Sequence, residues 1–212
     1  MGARINKVES RRAQEHLITS SLGLPNSLQQ LLKSNGCIEI RGNDQHCFFE
    51  KLARTVVGQQ LSTAAAKSIW SRITNLCDQK SLSPFDLALT YDGIELRRCG
   101  ISTAKARTIK EISIAISEGD IVEEQLTIAD QKTIVEELTS IWGIGKWTAE
   151  MIAISYFGLP DVWSMGDASL NRGIKILSDN KPRVEKKIIQ VARPYRSYLA
   201  KHIWFGIDAG IL

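Results

Sequence analysis

Apolar residues spaced three and four apart, broken at short intervals by helix-capping residues, constrain this chain more than any other feature. Such spacing lays apolar side chains along one face of a helix, and each cap starts a new one. Phe48, Phe49, Leu52, Val56 and Val57 share one such face in a segment that starts at Asp44. Gly58-Gln59-Gln60-Leu61-Ser62 interrupts it, and Ser62 is placed to cap a helix through Ala65, Ile69, Ile73 and Leu76. Ser83-Pro84 opens a short helix, since proline at the first helical position gives up an N–H that has no partner there. After the turn Gly100-Ile101-Ser102, Ser102 caps a helix through Ala106, Ile109, Ile112 and Ile116, which Gly119 ends. Asp130 caps the next helix, Thr148–Phe157 forms another, and Asp167 caps one with Leu170, Ile174 and Leu177. A last helical region holds Ile188, Val191, Tyr198, Ile203 and Trp204. Only Cys37–Arg41 alternates like a strand. The pattern predicts an all-α protein of roughly ten helices.

A chain of 212 residues can bury a sizeable core, as one domain or two small lobes. The net charge of +4 permits an anionic partner without demanding one. Cys37, Cys47, Cys77 and Cys99 contain no Cys-x-x-Cys pair, so they read as thiols in a reducing compartment and not as a metal or redox site. Residues 1–20 are polar and charged, unlike a secretory signal, and the apolar runs are too short to span a membrane. The expected location is intracellular: cytoplasm or nucleoid, or the nucleus in a eukaryote.

The segment from Leu138 to Asp167 carries the chemistry. A helix ends, Gly143-Ile144-Gly145 turns the chain, and a second helix begins. Glycine allows a left-handed backbone and removes the Cβ that would block a ligand. The N–H groups opening the next helix lack intrahelical partners and can hold a phosphate, helped by the helix dipole. Lys146 adds a cation there, and Ile144 is placed to plug into the core. The same Gly-x-Gly also serves as a plain tight connection between helices. Asp167 reads either as an N-cap, worth ~1 kcal/mol, or as a carboxylate held for chemistry.

The flanking residues extend this signature. Leu138, Ile141 and Trp142 precede the turn; Trp147, Thr148 and Ala149 follow it. Elsewhere stand Leu52-Ala-Arg-Thr-Val-Val-Gly-Gln-Gln-Leu-Ser-Thr63, Cys99-Gly-Ile-Ser-Thr-Ala-Lys-Ala106, Arg193-Pro-Tyr-Arg-Ser-Tyr198 and His202-Ile-Trp204. In this order and spacing they resemble the motifs of the helix-hairpin-helix (HhH-GPD) DNA glycosylases, specifically the 3-methyladenine glycosylase II, or alkylated-base, branch. The resemblance runs from about Asp44 to Trp204. It implies two helical lobes with an active-site cleft between them. Residues 46–164 would form a central bundle carrying the hairpin at about 132–157, and residues 1–45 with 165–212 the other lobe. Roughly 45 residues ahead of the core are too few for the N-terminal β domain of some relatives.

The resemblance also implies roles. Asp167 of Met165-Gly-Asp matches the catalytic aspartate, whose charge would stabilise an oxocarbenium-like sugar and orient a water. The partner would be double-stranded DNA containing a damaged base flipped out of the stack. Trp204 matches a stacking tryptophan, with Trp147, Trp163 and Tyr156 as further pocket candidates, although tryptophan on a helix also serves as core filler. A pocket tyrosine of some relatives is Met151 here. Gly143, Ile144, Gly145, Lys146 and Thr148 would grip DNA, and Gln60 or Leu61 would fill the hole left by flipping. His46 and His202 are read as structural. Strand-cleaving relatives carry a lysine nucleophile where this chain has Trp147, so base excision without lyase activity is expected. With no cysteine after Cys99, the C-terminal iron–sulfur cluster of some relatives cannot form. No cofactor is required, although carbonyls of such a hairpin can hold a monovalent cation. A monomer is the default. The leading reading is a monofunctional glycosylase for alkylated purines of the 3-methyladenine and 7-methylguanine type, acting in base excision repair. Two alternatives are a non-catalytic DNA-binding protein and a glycosylase for oxidised or mismatched bases.

Overall fold

The computed structural model describes residues 2–40, 42, 47–91 and 93–212, with side chains from Lys7 onward. Among the described residues there are thirteen helices and no strand. The chain divides into two compact units, residues 43–152 and residues 1–42 with 153–212.

The first unit contains α3 (Phe48–Gly58), α4 (Thr63–Lys80), α5 (Pro84–Thr90), α6 (Ile94–Arg98), α7 (Thr103–Glu118), α8 (Glu123–Thr127), α9 (Gln131–Ser140) and most of α10 (Lys146–Ser155). Helix α3 lies at its centre, packed on α4, α5 and α7. That position explains its sequence: Phe48, Phe49, Leu52, Ala53, Val56 and Val57 are all buried. Leu87, Ile112, Leu126, Ile134 and Leu138 complete the core. Capping follows the sequence reading. Ser62, Ser83, Ser102 and Asp130 each accept a backbone N–H from three residues onward, removing an orphan donor of the first turn.

The second unit contains α1 (Gly2–Ser20), α2 (Asn26–Asn35), the end of α10, α11 (Ala168–Leu177), α12 (Pro182–Val191) and α13 (Arg196–Asp208). Helix α13 is its hub, packed on α1, α2 and α11. Leu28, Leu31, Leu32, Leu170, Ile174, Leu177, Leu199 and Ile203 form the core. His202 joins three helices: its Nε2 lies 3.0 Å from Gln14 Oε1, its Nδ1 3.3 Å from Asn35 Nδ2. Asn35 Nδ2 also donates to the His202 carbonyl at 2.9 Å, and Gln14 Nε2 to Leu32 O at 2.8 Å.

The two units divide at 42/43 and at 152/153. The 153–163 stretch belongs with α13 because Arg196 pairs with Asp161, Val162 N–H donates to Ser197 Oγ, and Ser197 N–H to Pro160 O. Two expectations are corrected. Residues 37–40 form no strand; Ile38 and Ile40 alternate into the core as irregular chain, and among the described residues there is no strand to pair with. The helix count exceeds ten because α6 and α8 are too short to show a period, α1 and α2 lie outside the capped pattern, and the last region splits into α12 and α13 around Pro194. His46 and the start of the first helical segment at Asp44 lie outside the described residues; Cys47 stands at the N-cap of α3.

Candidate nucleic-acid interface and carboxylate site

The hairpin between α9 and α10 is a closed turn in which Ile144 N–H donates to Ile141 O at 3.1 Å. Gly143 occupies its third position with φ +84°, the left-handed value that a type II turn requires. A Cβ on Gly143 would collide with the Thr108 side chain of α7. Gly145 differs: its φ is not positive, and nothing lies within 4 Å of where its Cβ would be. The fold therefore demands glycine at 143 and leaves position 145 open to solvent. Ile144 is buried, anchoring the loop as expected. Lys146 extends into solvent, 3.9 Å from the buried Glu150 carboxylate one turn on. The Thr148 side chain is buried, so its contact with an external phosphate would run through its backbone N–H.

Helix α7 backs this hairpin. Thr108 packs against Gly143, and the Arg107 guanidinium lies 3.9 Å from the centre of the Trp142 ring. The turn carrying Gln60 and Leu61 is tied to the same elements. Gln59 Nε2 donates to Thr148 Oγ1 at 2.9 Å, and Lys105 Nζ donates to Val57 O and Gln59 O at 2.9 and 2.7 Å. The Lys105 ammonium is held below its ordinary pKa by burial. Sequence reasoning placed Lys105 inside a motif but assigned it no role, because its carbonyl partners lie more than forty residues away. Gln60 and Leu61 are exposed, and Gln60 has a left-handed backbone with φ +55°.

The carboxylate site lies in the other unit. Asp167 is only 7% exposed, and its Oδ1 accepts from Leu170 N–H at 2.7 Å, capping α11. The same oxygen accepts from Trp204 Nε1 at 3.3 Å. Two residues picked separately along the sequence therefore meet. The N-cap reading and the chemical reading of Asp167 are compatible: the cap bond fixes the carboxylate where the dipole of α11 favours negative charge. Trp204 is half-buried, whereas Trp163 and Tyr156 are buried among core residues of this unit. Trp147 is half-buried beside the hairpin. His202 is buried in its amide network, and desolvation pushes its pKa down to about 4, so it serves structure. Among the described residues no group of His, Cys, Asp and Glu is arranged to hold a metal, and no helix is long and apolar enough to cross a membrane.

Comparison with known proteins identifies the family. The alkylbase DNA glycosidase-like protein mag2 of Schizosaccharomyces pombe is 26% identical over 200 residues, 92% of each chain. The DNA-3-methyladenine glycosylase 1 of the same yeast is 29% identical, covering 74% of this chain and 71% of its own. The structure of the Schizosaccharomyces pombe 3-methyladenine DNA glycosylase in complex with abasic DNA superimposes with a TM-score of 0.77 at 28% identity, over 91% of this chain and 95% of that one. A DNA-3-methyladenine glycosidase from Bacillus halodurans matches with a TM-score of 0.69 at 31% identity, over 85% and 83%. The HhH-GPD pattern itself matches residues 53–194, well over half of the sequence. The chain thus belongs to the HhH-GPD superfamily of base excision DNA repair proteins.

Proposed function

We propose that this protein is a monofunctional DNA glycosylase that excises alkylated purines from double-stranded DNA. The observation that carries the reading is the buried Asp167 carboxylate, capped by Leu170 N–H and touched by the Trp204 indole. A purine methylated on a ring nitrogen is cationic. When its N-glycosidic bond breaks, the electron pair leaves with the base, which departs neutral. Positive charge then develops on the sugar, and a fixed carboxylate stabilises it. Water oxygen bonds to the anomeric carbon, and its proton passes to Asp167 or to solvent. The Trp204 face, beside Asp167, would stack on the flipped base. The α9–α10 hairpin would hold a backbone phosphate through N–H groups of α10 and Lys146. A lysine nucleophile is not at the position of Trp147, so hydrolysis without strand cleavage follows, and borohydride should trap no enzyme–DNA adduct. The relatives named for 3-methyladenine support the substrate class.

The test is release of free base from methylated duplex DNA by the wild type and by Asp167→Asn. Asparagine caps helices as well as aspartate does, so the variant keeps α11 while removing the charge. Release of 3-methyladenine or 7-methylguanine should fall by about 10²–10³-fold. Equal release by the two proteins would remove Asp167 from the mechanism. No release by either, with DNA binding intact, would favour a binding role or another lesion class.

A further inference from the structure

We propose that Lys105 is a positioning residue that holds the α3–α4 turn in one conformation and couples it, through α7, to the hairpin. The inference rests on the proposed function only in taking Gln60 and Leu61 as the residues that enter the duplex. The turn is closed by Leu61 N–H donating to Gly58 O at 3.1 Å. Gln59 has φ −52° and ψ 127°, and Gln60 has φ +55°, which makes this a type II turn. Its third position favours glycine or asparagine, so glutamine there is strained. Something outside the turn must hold it.

Lys105 does so at two carbonyls. Val57 O is among the last acceptors of α3, which lack partners within the helix. Gln59 O belongs to the peptide between the two central residues of the turn. Type I and type II turns differ chiefly in the direction of that peptide. A cation bonded to its oxygen therefore selects type II, and partial burial of the ammonium strengthens the bond. Gln59 adds a second restraint through Thr148 Oγ1 in the first turn of α10. Lys105 and Thr108 are three residues apart, on one face of α7. One contacts the Gln60 turn and the other packs on Gly143 of the hairpin. Helix α7 thus sets the spacing between the phosphate grip and the residues that would enter the duplex.

Two measurements test this on the full chain, using Lys105→Met and Lys105→Arg. The first is amide hydrogen exchange across residues 58–63 without DNA. Lys105→Met should accelerate it by about ten-fold, because a charge-assisted restraint is lost, and Lys105→Arg should restore protection. Unchanged exchange in Lys105→Met overturns the proposal whatever the activity. The second compares base release from a methylated duplex with release from a lesion opposite a gap, where unstacking is already easy. Lys105→Met should lose roughly ten-fold on the duplex, under about two-fold on the gapped substrate, with recovery in Lys105→Arg. Equal loss on both substrates would reduce Lys105 to a stabilising contact and overturn the positioning role. A wild type that releases no base sinks the proposed function, while the exchange measurement still decides whether Lys105 holds the turn.

Discussion

The two hairpin glycines should respond to alanine in opposite ways. At Gly143 the backbone sits at φ +84°, and the added Cβ meets Thr108, whose hydroxyl is bonded to Ala104 O at 3.0 Å. A left-handed L-residue costs about 1–2 kcal/mol, and forcing the buried Thr108 aside adds roughly 1–3 kcal/mol. Gly143→Ala should therefore lose about 2–5 kcal/mol, or roughly 4–20 °C in Tm for a chain of this size. Gly145 has no positive φ and no neighbour within 4 Å of its Cβ position. Gly145→Ala should leave stability unchanged or raise it by about 0.4–1 kcal/mol, through the entropy of the unfolded chain. The same methyl group would stand where a phosphate approaches the α10 amides, so affinity for duplex DNA should fall about ten-fold, or ~1.4 kcal/mol. Thermal unfolding by circular dichroism and fluorescence anisotropy with a labelled duplex read the two effects separately. If Gly145→Ala unfolds as readily as Gly143→Ala, or binds DNA like the wild type, the division of labour between the glycines is refuted.

Trp204→Phe keeps an aromatic face but drops the 3.3 Å bond to Asp167, and single-turnover base release should slow by about ten-fold, far less than for Trp204→Ala. Gln60→Gly removes the left-handed strain, so Tm should rise by an amount worth up to ~1 kcal/mol while duplex excision falls; a drop in Tm would refute the strain. Asp161→Asn breaks a two-pronged pair with Arg196, of 2.7 and 3.0 Å, that also caps α13, and urea unfolding should show a loss of about 1–3 kcal/mol. His202, 1% exposed, has a folded pKa of about 4 against an ordinary 6.5. The folded state then binds fewer protons than the unfolded one between these values. Stability should be full above pH 6.5 and decline as pH falls toward 4, by roughly 3 kcal/mol at most, with His202→Gln flattening that slope in a pH series of urea melts.

Local chemistry made much of this protein readable from its residues. Caps at Ser62, Ser83, Ser102, Asp130 and Asp167 stand where side-chain oxygens meet first-turn amides, because that bond spans only three residues. The apolar period places α3, α4, α7 and α11, the Asp130 cap places α9, and the turn chemistry of Gly143-Ile144-Gly145 sets the hairpin. Asp167 and Trp204 could be chosen individually, but their meeting through a 3.3 Å bond is a property of α13 packing on α11. Long-range partners were hidden for the same reason. Nothing near Lys105 in sequence reveals Gln59 O, nothing near Gly143 reveals Thr108, and nothing near Asp161 reveals Arg196. The 153–163 stretch joins the second unit through hydrogen bonds to α13 made thirty-five residues away. Sequence by itself determines where helices start, stop and turn, since those energies are local. Tertiary structure decides which side chains share a site and which glycine the fold requires, since those depend on segments far apart in the chain.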